Sequence, residues 1–196
     1  MKWSSLLALA SCALAAFAPL TAEAAAFGVE MGTPLSQLRI VETFKGDMYS
    51  VAVPSPHSEF ESYTVWAPPS HGVCKIIGVG KNHTGDRSGV EIRTVMSEFR
   101  KILTEKYGKS ETFDFLESGS IWDEPEDFGM ALTKKEYNLA TYWTKQVEST
   151  MPADVGWIKL EAFAISSSIT YLTLVYESSR IEECVAPGSK ADRDAL

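Results

Sequence analysis

The chain has 196 residues, 45% hydrophobic and 22% charged, which are the proportions of a globular protein and the length of one domain. Its formal net charge of -8 argues against nucleic acid as a partner, since that needs a basic face to meet phosphate, and against electrostatic attachment to anionic lipid. A basic partner protein is compatible with such a charge.

At the N-terminus, Lys2 precedes an apolar run from Leu6 to Leu20, and Ala22-Glu23-Ala24 places small residues where a signal peptidase reads them. An export signal over residues 1–25, cleaved near Ala24, is predicted. Leu9-Ala10-Ser11-Cys12 has the form of a bacterial lipobox and offers a competing reading, a lipidated Cys12. The short apolar stretch before Cys12 and the apolar residues after it favour an ordinary signal. Pro19 interrupts the run, which falls short of the roughly 18 apolar residues of a membrane span, and no later segment does better. A periplasmic or secreted domain is therefore expected over residues 26–184, followed by a flexible tail over 185–196. Without Cys12, Cys74 and Cys184 remain as a pair, and in an oxidising compartment a structural disulfide is their default state.

Along the mature chain, Thr33 before Pro34 reads as an N-cap with proline at the first helical position, so a short helix is expected over 34–39. Residues 48–53, 62–67 and 72–80 read as strands punctuated by Pro54, Pro56, Pro68 and Pro69. In the last of these, Val73, Ile77 and Val79 share one face and Cys74 and Ile76 the other. Residues 88–109 carry the strongest helical signal. Ile92, Val95, Met96, Phe99, Ile102 and Leu103 form one stripe, Ser88 and Glu91 have the spacing of a capping box, and Gly108 supplies a left-handed stop. The acidic segment 117–127 reads as a connection in which Pro125 forbids regular structure. Phe128, Met130 and Leu132 alternate, as do Tyr137, Leu139, Thr141 and Trp143, which predicts a hairpin turning at Lys134-Lys135; a helix over 134–143 is the competing reading. Strands over 157–165 and 169–177 flank Ser166-Ser167-Ser168, with Tyr171, Thr173 and Val175 facing away from Leu172, Leu174 and Tyr176. The sum is an α+β protein: an antiparallel meander covered by one long and one short helix.

The halves echo one another. GVEMGTPLSQL from Gly28 parallels GVEIRTVMSEF from Gly89, and GVCKIIGVG from Gly72 parallels GWIKLEAFA from Gly156 through Lys75 and Lys159. Both matches run in the same order, as in a tandem helix-then-strands repeat over 27–83 and 88–178. The opening Gly28, Gly32, Thr33, Leu35 and Leu38, before a short helix and strands in an exported chain, resembles small bacterial envelope modules of the β-lactamase-inhibitor-protein and BamE/SmpA type. That resemblance implies helices on an antiparallel sheet and binding of proteins rather than chemistry. The glycine-proline step that ends the first helix in those modules is absent after Leu38, and no contact residue carries over.

Motifs for chemistry are few. There is no His-Glu-x-x-His and no Gly-x-Ser-x-Gly, and Gly78-Val79-Gly80 lacks the third glycine of a phosphate cradle, with His83 in its place. His57, His71 and His83 fall in three separate loops and are read as solvated rather than as metal ligands. Glu117 and the carboxylates of 123–127 lack the spacing of a calcium loop. The expected role is an exported protein-binding module, inhibitor-like or immunity-like, with no catalytic residues, metal or cofactor. Trp122 with Asp123, Glu124, Glu126 and Asp127 is the candidate binding segment, an aromatic anchor with an acidic rim that suits a basic partner. An envelope structural lipoprotein and an enzyme with an unrecognised site are the alternatives.

Overall fold

The computed structural model describes residues 26–145 and 149–185. The expected export signal, Cys12, and residues 186–196 of the expected tail lie outside the described residues. One antiparallel sheet is built from β1 (Arg39–Thr43), β2 (Met48–Ala52), β3 (Phe60–Trp66), β4 (Lys75–Gly80), β5 (His83–Thr84), β6 (Glu111–Leu116), β7 (Tyr137–Thr144), β8 (Val155–Ser166) and β9 (Ile169–Ser178). The helices are α1 (Val90–Tyr107), α2 (Phe128–Lys134) and the single turn α3 (Ile181–Cys184). Spatial order across the sheet is β1-β2-β3-β4-β9-β8-β7-β6, with the short β5 also on β9. Each half is thus a four-stranded meander, and the last strands of the two halves, β4 and β9, pair in the middle from Lys75↔Glu177 to Val79↔Thr173.

Alternation along the strands sends one set of side chains into a single core. Val65, Ile76, Ile158, Leu160, Leu172 and Leu174 are buried on that face. Each contributes about 1.5–3 kcal/mol by leaving water. Ile92, Met96, Leu103 and Tyr107 of α1 and Phe128 and Leu132 of α2 cover the second meander. The first is covered by residues 26–38: Ala26, Val29 and the ring of Phe27, whose centroid lies 4.7 Å from Tyr63 and 5.1 Å from Phe60. Phe27 reaches this position from a two-residue reversal in which it and Gly28 both have positive φ, closed by reciprocal bonds between Ala26 and Val29. Gly78 of β4 leaves room for that ring, because a Cβ there would strike Phe27 and Phe60.

The long helix forms where expected, but two of its details differ. Its N-terminus is not closed by Ser88 and Glu91. The Asp86 carboxylate accepts the backbone N–H groups of Glu91 and Ile92 at 3.0 Å each and the hydroxyl of Thr170 at 2.9 Å. Gly89, at φ 73, enters the helix against the ring of Phe128, where a Cβ would overlap it. Ile102 is not in the stripe: it is 57% exposed, while Tyr107 is buried in its stead. At 100° per residue, Ile102 lies about 110° round from the centre of the buried set, past the edge of the covered arc.

Two other expectations are revised. Thr33 does not cap a helix over 34–39; its hydroxyl donates to the Glu30 carbonyl, a single 3-10 turn spans Leu35–Gln37, and the chain enters β1 at Arg39. The expected hairpin strand around Phe128 is α2, whose Phe128, Ala131 and Leu132 point inward at helical spacing, and Lys135 at φ 61 ends it and starts β7. The edge strands β1 and β6 and the two-residue β5 have no counterpart in the sequence reading. The echoed segments from Gly28 and Gly89 lead into the 3-10 turn and α1 respectively, whereas those from Gly72 and Gly156 fall on the fourth strand of one meander and the third of the other. Among the described residues no helix is long and apolar enough to cross a membrane.

Cys74 and Cys184 are joined, with Cα atoms 6.4 Å apart, fastening α3 to the approach of β4. The Ser178 N–H donates to the Cys74 carbonyl beside the bond at 2.9 Å. Replacing both cysteines by alanine is expected to cost roughly 4 kcal/mol in the chain-entropy account of so long a loop, measured by urea unfolding with and without reductant. On α1, Leu103→Ala should cost about 2–5 kcal/mol and Ile102→Gln less than about 0.5 kcal/mol; equal losses in the same assay would mean that α1 is rotated about its axis.

Candidate functional site

The strand positions that face away from the helices form a broad face with no described element over it. The pairing registers set its side chains in cross-strand rows. One row runs Met48, Trp66, Lys75, Glu177, Trp157 and Thr144; the next runs Ser50, Thr64, Ile77, Val175, Lys159 and Tyr142. A third carries Val79, Thr173, Glu161, Ala140 and Phe113. Beyond it the rings of Phe163 and Tyr171 stack, with centroids 5.5 Å apart. Phe115 of β6 and Ile165 of β8 are exposed at this end, Ile165 at 60%.

Two lysines of this face are each paired and held. The Lys75 ammonium is 2.7 Å from Glu177 and 5.6 Å from the centre of the Trp157 ring. The Lys159 ammonium is 2.6 Å from Glu161 and 5.2 Å from the Tyr142 ring. Burial works against the charge on Lys159, but hydrogen bonds to Glu161 and Tyr142 outweigh it and hold its pKa above the ordinary lysine value. Tyr142 also meets Phe113 edge-on at 5.7 Å and Trp157 at 6.5 Å. Each cation is therefore locked between a carboxylate and a ring, and little rotamer freedom is left to lose on contact.

Two polar clusters lie on the helix side. His83, only 4% exposed, is 2.8 Å from Glu59 through Nε2 and 2.9 Å from Glu91 through Nδ1. Both contacts are hydrogen bonds from the ring only when both nitrogens carry protons. Glu91, not used in a capping box, so ties α1 to the loop before β3, and Lys81 approaches Glu59 at 3.5 Å. In the second cluster Arg93 donates to Asp114 at 2.7 Å and 2.9 Å and to the Tyr137 hydroxyl at 2.7 Å, and that hydroxyl donates to Asp114 at 2.7 Å. Burial would raise the Asp114 pKa, but Tyr137 and Arg93 outweigh it and hold the carboxyl below its usual range. Arg93 also lies over the Phe128 ring at 4.6 Å.

The residues singled out from sequence lie elsewhere. Asp123, Glu124 and Glu126 are exposed around the 3-10 turn Pro125–Asp127, with Asp127 half-buried. Trp122 is half-buried, its backbone N–H donating to the Ser120 hydroxyl, which in turn donates to Glu136. Neighbouring Ile121 is 75% exposed. The three histidines do not meet: His57 packs on Phe99, His71 pairs with Ser70, and His83 is the buried ring described above. Among the described residues no set of three His, Cys, Asp or Glu side chains could hold a metal. Gly78 and Gly80 belong to β4 itself rather than to a phosphate-binding turn. A hollow of about 510 Å³ lies between the N-terminal turn and β1–β2, lined by Glu30, Thr33, Gln37, Arg39 and Val53. The aromatic face was not anticipated; its signal was the second half of each alternation, such as Trp157, Lys159 and Glu161 along β8.

A depressed folded-state pKa stabilises above the ordinary carboxylate pKa of about 3.9 and ceases to do so as pH falls through the lower folded value. Asp114→Asn should therefore lower the melting temperature near neutrality and flatten its decline on acidification below about pH 4. The change should stay under about 1 kcal/mol because both partners are partly exposed. An unchanged slope in thermal melts across this range would mean that the cluster does not form in solution.

No family model, curated protein or solved structure matches the chain.

Proposed function

We propose that this chain is an exported module that binds another folded protein of the envelope or extracellular space through the open face of its sheet. The observation that carries the reading is the set of matched lysine–carboxylate pairs laid against Trp157 and Tyr142 on a face with no described element over it. Eight strands at about 4.8 Å spacing give a width of about 34 Å, and four rows of side chains a height of about 20 Å. The projected area, about 700 Å², is close to the roughly 800 Å² that each partner contributes to a standard interface. Half-buried aromatic rings alternate with ordered charges across it, Trp66 and Trp157 lying on either side of the Lys75–Glu177 pair, and supply aromatic anchors for a partner. The disulfide accords with an oxidising compartment, and the apolar leader of the sequence with export. An inhibitor or immunity protein that covers a secreted enzyme is the form of binding that fits a rigid preassembled face.

This reading differs from one centred on the acidic segment around Trp122 in its response to salt. The two lysine–carboxylate pairs at the middle of the sheet face balance, so binding there should survive raised ionic strength, whereas an acidic loop meeting a basic partner should release it. The test is capture of a partner from periplasmic extract by the tagged protein, with affinity then measured for the purified pair. Trp157→Ala is expected to weaken it by about 30-fold or more, the scale of an aromatic hot spot, and Ile102→Gln to leave it unchanged. Loss of the partner in high salt, with full affinity retained by Trp157→Ala, would move the site to the acidic segment and overturn the sheet-face reading.

A further inference from the structure

The two lateral edges of the sheet, β1 and β6, are unlike. β1 carries a bulge between Ile40 and Glu42, the kind of irregularity that spoils an edge for further pairing. β6 runs in unbroken register with β7 over six residue pairs and, among the described residues, has no strand on its other side. Every second residue of such a strand turns its N–H and C=O outward. Beside this edge runs a groove of about 170 Å³ between α1 and β6, lined by Arg93, Ser97, Arg100, Thr112 and Asp114. It opens along the helix into a shallower trough past Lys101 and Thr104, with Glu105 among its walls.

The charge of the groove is opposite to that of the chain. Arg93 is neutralised by Asp114, but Arg100 and Lys101 are exposed and form no ion pair among the described residues. On the other side of the same strand, Phe113 and Phe115 are the last aromatic side chains of the open face, with no further described strand beside them. A new strand at β6 would lie about 4.8 Å away and present alternate residues to these two surfaces.

We propose that the β6 edge takes up an extended acidic peptide as an additional strand. Its carboxylates, on every second residue, face Arg100 and Lys101, and the intervening apolar side chains lie beside Phe113 and Phe115. Main-chain pairing gives the register and the two flanking surfaces give the selectivity, the division of labour found wherever a peptide is bound by strand addition. The site does not depend on the sheet-face reading, since neither Trp157 nor Tyr142 contributes to it.

The test uses the intact disulfide-bonded protein and a fluorescent, end-blocked octapeptide alternating valine with glutamate or aspartate. A lysine-for-acid version and a block isomer of the same composition serve as controls. The alternating acidic peptide is expected to bind, to lose about tenfold or more in affinity to the double variant Arg100→Glu, Lys101→Glu, and to be indifferent to Trp157→Ala. Amide exchange in 111–116 is expected to slow on binding. Equal binding of the block isomer would mean attraction of charge without strand pairing. That result, equal binding of the lysine peptide, unchanged exchange in 111–116, or no binding at about 1 mM peptide, would overturn the proposal. Both substituted side chains are exposed on α1, so the double variant should fold, and its melting temperature controls for that.

Discussion

The pairing of β4 with β9 is the contact on which the rest of the molecule depends. Each meander alone has one face to bury and too few strands to bury it well. Joined from Lys75↔Glu177 to Val79↔Thr173, they become one sheet with one core beneath and one continuous surface above. The same register that sets Ile76 beside Tyr176 within the core sets Lys75 beside Glu177 on the outside. A slip of one residue would exchange the two faces and expose the core, so packing beneath the sheet fixes the spacing of the rings and charges above it.

Polar groups complete what hydrophobic packing leaves open. Asp86 supplies α1 with its N-terminal acceptor and holds Thr170 of β9 with the same carboxylate, which joins the helix to the central strand. His83 between Glu59 and Glu91 fixes the loop before β3 to the first turn of α1. Arg93, Asp114 and Tyr137 link α1 to β6 and β7. Arg93 leads that helix face, and Arg100 lies two turns further along, so the cluster that anchors the edge strand also sets one wall of the groove beside it.

Long periodic segments were legible in sequence, and short ones were not. The strands β2, β3, β4, β7, β8 and β9 and the helix α1 carry alternation or a helical stripe over enough residues to choose between periods of two and 3.6. In seven residues Phe128, Met130 and Leu132 satisfy the one and Phe128, Ala131 and Leu132 the other; burial against β7 and β8 decided for the helix. The β-branched run Ile40, Val41 and Thr43 of β1 was hidden behind the helical reading of Thr33-Pro34. The alternation of Phe113 and Phe115 in β6 was visible but follows a helix directly. Among the candidate site residues, sequence drew attention to the acidic segment because its charges are adjacent in the chain. The rings and ion pairs of the open face come from β4, β7, β8 and β9, and only the register brings them together.

The order of synthesis adds a constraint of its own. Ile76 finds its partner Tyr176 one hundred positions later, so the first meander leaves the ribosome with a hydrophobic border that has nothing to bond to. Such distant closure is slow, and an unclosed border invites misassociation in the interval. The closing strand β9 is also close to the last part of the described chain to be made, so the first meander stays open until synthesis is nearly complete.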